Sequence, residues 1–526
     1  MKVPRRRFRG SWISWKNVMA AVAMVATIGA VLQTCVIDYP LNNWFLNPPR
    51  TFSSHEDMNN TFSVKGTLPL VSPQHFPLLV PDAFQNSSRE ETPLLPVVEL
   101  RTEASPKKER EDMTSNRKKP NDQRVVPQPP PRVIVSRQRN IWSMPPDEAL
   151  VYAKKELDHA PIVTDDPDLY APLFRNVSTF KRSYELMESI LKVYIYKDGK
   201  RPIFHTPHLR GIYASEGWFM KLMEENRQFV TRDPERAHLF YLPYSSRQLE
   251  IALYVPDSHN IKPLSIFLRD HVNWIARKYP FWNRTRGADH FLVACHDWGP
   301  YTVTEHEELL RNTIKALCNA DLSERIFVPG RDVSLPETTI RRPRKPLRGI
   351  GNGKRVSQRP ILAFFAGNMH GRVRPTLLQH WGGKDEDMKI YGPLPNRVAK
   401  VMSYALHMKS SKFCICPMGF EVNSPRIVEA IYHECVPVII ADHFVLPFSD
   451  VLNWESFSVV VAEKDIPNLK EILRAIPMRR YLWMQTNVKM LQKHFLWNPR
   501  PIKYDLFHMV LHSIWFNRLA NFVPNS

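Results

Sequence analysis

The chain has 526 residues, 46 of them proline, and a net charge of +20. Its length exceeds one ordinary domain, and prolines gathered toward the N-terminal third exclude a packed core there, leaving two domains and an extension. Such a charge admits nucleic acid, acidic glycans or an anionic small molecule as partners, and the topology read next excludes the first.

Residues 1–17 form a cytosolic basic tail carrying Lys2, Arg5, Arg6, Arg7, Arg9 and Lys16. Val18 to Ile37 holds no charge, is long enough to cross a bilayer, and is followed by Asp38. It reads as an uncleaved transmembrane signal anchor. The alternative, a cleaved secretory signal, fits less well, because the run is longer than a usual hydrophobic region and Thr34-Cys-Val-Ile37 offers no small-residue cleavage site. Everything after Asp38 is then lumenal, where no nucleic acid waits. Glycosylation sequons at Asn59, Asn86, Asn176 and Asn283 agree with that placement.

Of six cysteines, Cys35 lies in the anchor, so at least one of the remaining five stays unpaired in an oxidising compartment. Cys414 and Cys435 stand near the starts of two strands that a single crossover sets side by side. They are the preferred disulfide, worth about 3 kcal/mol in the chain-entropy picture. Cys295 with Cys318 is the second pair. Cys414-Ile-Cys416 resembles a metal pair only on paper, since residues two apart on a strand are poorly placed to share an ion and no second Cys/His pair accompanies them.

Residues 38–183 read as a mostly disordered lumenal stem, with mixed-charge tracts such as Lys107 to Asp112, a stiff proline run from Pro127 to Arg132, and an isolated helical pattern at Pro146 to Leu157. Folded structure is expected from Tyr184. Residues 184–340 alternate strand and helix signals: a strand at Leu191–Tyr196, apolar segments at Tyr213–Met223, His238–Leu242 and Phe291–Ala294, a helix over Glu305–Leu317, and a strand at Arg325–Val328. Residues 341–359 carry eight cations and no acid, and read as an exposed connector. A second half, 360–500, opens with the strand Ile361–Phe365, and in 501–526 an apolar helix at Tyr504–Phe516 crosses back to the first half. The fold class is α/β: two Rossmann-like halves facing a cleft.

The densest chemistry lies between Phe413 and Ile440. Phe413–Cys416 and Val436–Ile440 are short apolar runs separated by about 20 residues, room for one crossover helix. Ser424 is the natural N-cap and Pro425 the natural first helical residue. Arg426 then falls in the first turn, where the helix dipole disfavours an unpartnered cation. That misfit calls for an anion. Glu429 lies one turn on, along the same face, so a diphosphate beside Arg426 and sugar hydroxyls beside Glu429 would satisfy both groups.

Other segments carry weaker signals. In Phe364 to Thr376 a buried strand, two glycines and a helix opening near Pro375 place Arg372 and Arg374 to meet phosphate or, equally, surface acids. Cys295-His-Asp-Trp298 puts His296 and Asp297 just past the carboxyl end of a strand, where open sheets hold ligands and either group could accept a proton. His205 is a similar, weaker candidate; Glu216 and Trp218 touch an acceptor or belong to a core helix. Gly349 to Lys354 lacks the strand and helix a phosphate loop needs, and reads as linker. Asp166-Pro-Asp168 and Asp385-Glu-Asp387 follow no buried strand, so both read as solvated and metal-independent chemistry is expected.

Taken together, Val193–Tyr196, Tyr213–Trp218, Asp233–Pro243, Asp289 to Gly299, Phe365–Gly367, Phe413–Pro417, Ser424–Pro437, Leu446–Ser449 and Trp454 resemble the exostosin-like glycosyltransferases, family 47, most closely the plant members. The resemblance covers Tyr184 to Leu496. It implies a GT-B fold, an inverting mechanism, and a Golgi type II membrane protein that transfers a sugar from a nucleotide sugar, UDP-linked in most members, to a cell-wall polysaccharide or other glycan. No cofactor and no metal are expected, and a Golgi membrane and other glycosyltransferases are the further partners. Arg426 and Glu429 would hold the donor with Arg374, Arg372 and Ser424 beside them. Ala405, after Tyr404, stands where animal exostosins carry an acid, which withdraws a donor contact from that position. The alternative from a different class is an inactive lumenal scaffold or glycan-binding subunit of a synthase complex.

Overall fold

The computed structural model describes residues 143–164 and 166–523. The tail, the Val18–Ile37 anchor, Cys35, Asn59, Asn86 and most of the stem lie outside them. Among the described residues no helix is long and apolar enough to cross a membrane.

Two sheets form the body. The first contains β1 (Val193–Ile195), β2 (Val230–Thr231), β3 (Leu239–Tyr241), β4 (His290–Ala294), β5 (Ile314–Leu317) and β6 (Val333–Ser334), in the order β2-β1-β3-β4-β5-β6. The second contains β7 (Ile361–Ala366), β8 (Met388–Tyr391), β9 (Ser411–Pro417), β10 (Val436–Ile440) and β11 (Val459–Val460), in the order β11-β10-β9-β7-β8. Every pairing is parallel, as in the register Val436 to Phe413 and Val438 to Ile415. Parallel strands require crossovers that cover both faces, which is why β4 and β10 are buried along their whole length.

Both expected disulfides are present. Cys295–Cys318 joins the carboxyl ends of the neighbouring strands β4 and β5, with Cα atoms 4.6 Å apart, and Cys414–Cys435 joins β9 to the approach of β10 at 5.8 Å. Cys416 is buried and free.

The fold starts earlier than the expected boundary at Tyr184. Helices α1 (Pro146–Asp158) and α2 (Val177–Ile190) belong to the body, and α1 buries Ala149, Leu150 and Ala153. Their partner is distant in sequence: the C-terminal helix (Leu506–Ala520), apolar nearly all round, packs on both and on β5. Within this contact Phe180 meets His512 at 4.7 Å, and on the helix Ala214–Glu224 Phe219 stacks on Phe507 at 5.6 Å. The expected return of this helix to the first half therefore holds, and it closes a core that the local pattern of α1 could not announce.

Three local expectations change. Glu305–Leu317 is a short helix, Glu307–Arg311, followed by β5, because Lys315 inside the strand is buried and paired with Asp332 at 3.0 Å, which disguised the apolar run. Arg325–Val328 is a turn: Arg325 has φ 59°, and the Val328 N–H donates to Asp332, leaving β6 to form at Val333. The basic connector is not wholly exposed. Arg359 is 1% exposed and donates to the carbonyls of Lys354, Met408, Ser411 and His433, while Lys354 donates to Ser410.

Candidate functional site

A cleft of about 420 Å³ opens beside the carboxyl ends of strands from both sheets. Its second-half wall is built on α3 (Val373–Trp381), the loop after β9, and α5 (Arg426–Tyr432), with α4 (Tyr404–Ser410) alongside. Arg426 is the first residue of α5. Pro425, already helical at φ −65° and ψ −13°, takes the cap position, so the expected Ser424 cap does not form. The Ser424 hydroxyl is buried without a hydrogen-bond partner, and Ser424 is not among the lining residues.

Arg426 lies over the Phe365 ring at 5.2 Å and donates from Nη2 to the Ala366 carbonyl at 3.2 Å. A Cβ on Gly367 would come within 2.1 Å of that nitrogen, so the guanidinium occupies space that only a glycine leaves. Arg374, 6% exposed, donates to Met418 O at 3.1 Å and Asn368 O at 3.2 Å, and a Cβ on Gly419 would meet it at 2.7 Å. Neither arginine forms an ion pair among the described residues. Burial, and then the neighbouring Arg426, push Arg374 down to about 10, so it keeps its charge at neutral pH. A buried cation beside a half-buried one, both hydrogen-bonded only to carbonyls among the described residues, is a ready receptor for a multiply charged anion.

Glu429, one turn beyond Arg426, also lines the cleft and accepts from the Tyr404 hydroxyl at 3.0 Å. Tyr404, rather than position 405, is the contributor from α4. Arg372 points elsewhere: it is paired with Glu463 at 2.7 Å and its side chain is 62% exposed. Its expected phosphate contact is thereby withdrawn, because the surface acid already satisfies its fork.

The first-half wall carries the acids. Asp297 lines the cleft, and burial raises its carboxyl above the ordinary value, against the lowering effect of Tyr213 and Arg247. His296 does not line it. The ring packs between Tyr213 and Trp298, Nδ1 accepts from the Trp298 N–H at 3.1 Å, and burial pushes it down to about 3. The structure places it as a packing group. Glu216, also raised as a possible acceptor contact, is 1% exposed and accepts from Ser245, Ser246 and the Cys295 N–H, bracing the end of β4 that presents Asp297. Trp218 is buried in the core, and His205 pairs with Glu224 at 2.8 Å outside the cleft.

Two further carboxyls escaped the sequence reading. Glu337, on the segment after β6, accepts from Asn423 Nδ2 at 2.8 Å. Glu421, in the loop after β9, accepts from Asn319 Nδ2 at 2.7 Å. Each bond joins the two halves, in opposite senses. Burial, followed by Asp297, raises both carboxyls to about 8. The available signal for Glu337 was a lone acid in the segment Leu335–Ile340, immediately before the basic connector.

A buried arginine beside a half-buried one, facing the Asp297 carboxyl across a cleft between two parallel α/β halves, defines a site for chemistry on an anionic ligand. Residues 187–476 match the family described as the Exostosin GT47 domain. The chain is 49% identical over 357 residues to a probable glycosyltransferase of Arabidopsis thaliana, covering 68% of each chain. It is 31% identical over 350 residues to a probable glucuronosyltransferase of Oryza sativa subsp. japonica (62% of this chain, 77% of that one). It has the same identity over 350 residues to a probable beta-1,4-xylosyltransferase of Arabidopsis thaliana (62% and 81%). The chain belongs to the exostosin GT47 family.

Proposed function

We propose that the protein is an inverting glycosyltransferase of GT-B type, using neither metal nor cofactor, that moves a sugar from a UDP-sugar to a hydroxyl of a cell-wall polysaccharide. It works in the Golgi lumen, held to the membrane by Val18–Ile37 and glycosylated at its sequons, of which Asn176 and Asn283 are exposed. The observation that carries this reading is the pairing of Arg426 with Arg374, unopposed by any carboxylate ion pair among the described residues, on the wall facing Asp297.

In the proposed reaction the acceptor oxygen attacks the anomeric carbon, the bond from that carbon to the diphosphate oxygen breaks, and Asp297 takes the hydroxyl proton. The raised Asp297 carboxyl brings it nearer the acidity of an effective general base. Arg426 and Arg374 hold the charge that develops on the departing diphosphate, in a site too buried for water to screen it fully. Glu429, oriented by Tyr404, accepts hydroxyls of the nucleoside. The metal-free part draws support from the Asp-x-Asp residues, since Asp385 is paired with Lys470 and Asp387 with Arg474, outside the cleft.

The test is a panel of nucleotide sugars assayed for binding and hydrolysis, with and without chelator. Turnover of a UDP-sugar that persists in chelator is expected. Loss of turnover on chelation would remove the metal-free mechanism, and failure to bind any nucleotide would remove the enzyme.

A further inference from the structure

Asn423 spends its amide N–H on Glu337, yet its Oδ1 is buried without any hydrogen-bond partner, and the residue lines the cleft at 7% exposure. A buried acceptor of this kind is costly unless a donor arrives. Its position says which donor. The charged groups acting on Glu337 are Asp297, from the first half, and Arg426 and Arg374, from the second. On the reading given above, these are the proton acceptor and the diphosphate site, and the group that must lie between them is the sugar being transferred.

We propose that Glu337 and Asn423 read the hydroxyls of the transferred sugar, and that this sugar is uncharged. A sugar hydroxyl donates to Asn423 Oδ1 and accepts from the Glu337 carboxyl, using both capacities of one O–H group. The Glu337 carboxyl, at about 8, keeps its proton at neutral pH and so has one to give. A uronic acid sugar would bring a carboxylate beside Asp297, into a wall where burial already keeps Glu337 and Glu421 protonated, with Arg426 and Arg374 committed to the diphosphate and the exposed Arg341 the remaining arginine of the lining. The inference rests on the proposed UDP-sugar reaction and adds the class of sugar.

The test is calorimetric titration of the full-length chain with UDP, UDP-glucose, UDP-galactose, UDP-xylose and the two matching uronates, UDP-glucuronate and UDP-galacturonate. A neutral UDP-sugar is expected to bind at least about tenfold tighter than either uronate and than UDP itself. Asn423→Ala should remove that gain while changing UDP affinity less than about twofold, and Glu337→Gln should reduce it. Retained UDP affinity reports that each variant is folded, and the wild-type comparison stands without them. Uronates binding as tightly as neutral sugars would overturn the inference, as would an Asn423→Ala variant that keeps both UDP affinity and the full gain. Both outcomes leave the UDP site standing. No UDP binding by the wild type would overturn the reaction, and this inference with it.

Discussion

Asn319 in the first half donates its side-chain amide to Glu421 in the second at 2.7 Å, and Glu337 accepts from Asn423 in the reverse direction at 2.8 Å. The cleft floor is thus fastened by two amide–carboxyl bonds, each with its acid on the opposite half. Amides were the fitting partners. An arginine or lysine in either place would have ionised the carboxyl and added charge to a wall that also carries Asp297.

This arrangement makes stability depend on pH. Glu337 and Glu421 are raised from 4.5 to about 8 in the folded protein, under desolvation and the field of Asp297. Between those values the native state holds protons that the unfolded chain has released, so stability falls as pH rises. The contribution is fully present below about 4.5 and lost as pH passes through about 8. A urea titration of the ligand-free protein should lose on the order of a few kcal/mol across this window from these groups. Glu337→Gln, which carries no titratable proton, should flatten the profile. A variant profile as steep as wild type would show that Glu337 does not titrate there.

Asp297 should separate chemistry from binding. Asp297→Asn preserves shape and removes the proposed proton acceptor, so kcat should fall by about 10²- to 10⁴-fold while UDP affinity changes little. His296→Gln, at a packing position, should lower stability instead, with turnover following the folded fraction. Equal catalytic losses in both, without loss of stability in either, would count against the assignment.

Much of the second half was legible because its signals are local. The runs Phe413–Cys416 and Val436–Ile440, the intervening Pro425-Arg426, and the Cys414–Cys435 pair all have meaning at separations that one crossover spans. Ser424 misled because Pro425 had already entered helical geometry, moving the cap one residue on. His296 and Asp297, adjacent in sequence, were indistinguishable until the strand end turned one ring into the core and the neighbouring carboxyl into the cleft. Glu337, Glu421, Asn319 and Asn423 sit in loops, where no periodicity marks a face. Their chemistry exists only when segments about 90 residues apart or more meet, as the separations of 86 and 102 residues in the two bonds record.

The connector yields a separate prediction. Arg359 has no acid within ion-pairing distance among the described residues, and its guanidinium satisfies four carbonyls from otherwise separate segments. Arg359→Ala would strip donors from buried carbonyl oxygens and open a cavity, costing about 3–5 kcal/mol. Lysine should rescue little, because one ammonium cannot reproduce a planar fork that reaches in several directions. Chemical denaturation of the two variants checks this; near-wild-type stability for Arg359→Lys would mean that charge alone suffices.

The central claim is that Arg426 waits for a diphosphate, and it is tested most directly by calorimetric titration of UDP into wild type and Arg426→Ala, with thermal unfolding alongside. Losing a charge-assisted contact of about 1.5–3 kcal/mol should weaken UDP binding by about 10- to 150-fold, with the unfolding midpoint little changed. Wild-type UDP affinity in a folded Arg426→Ala protein would contradict the account.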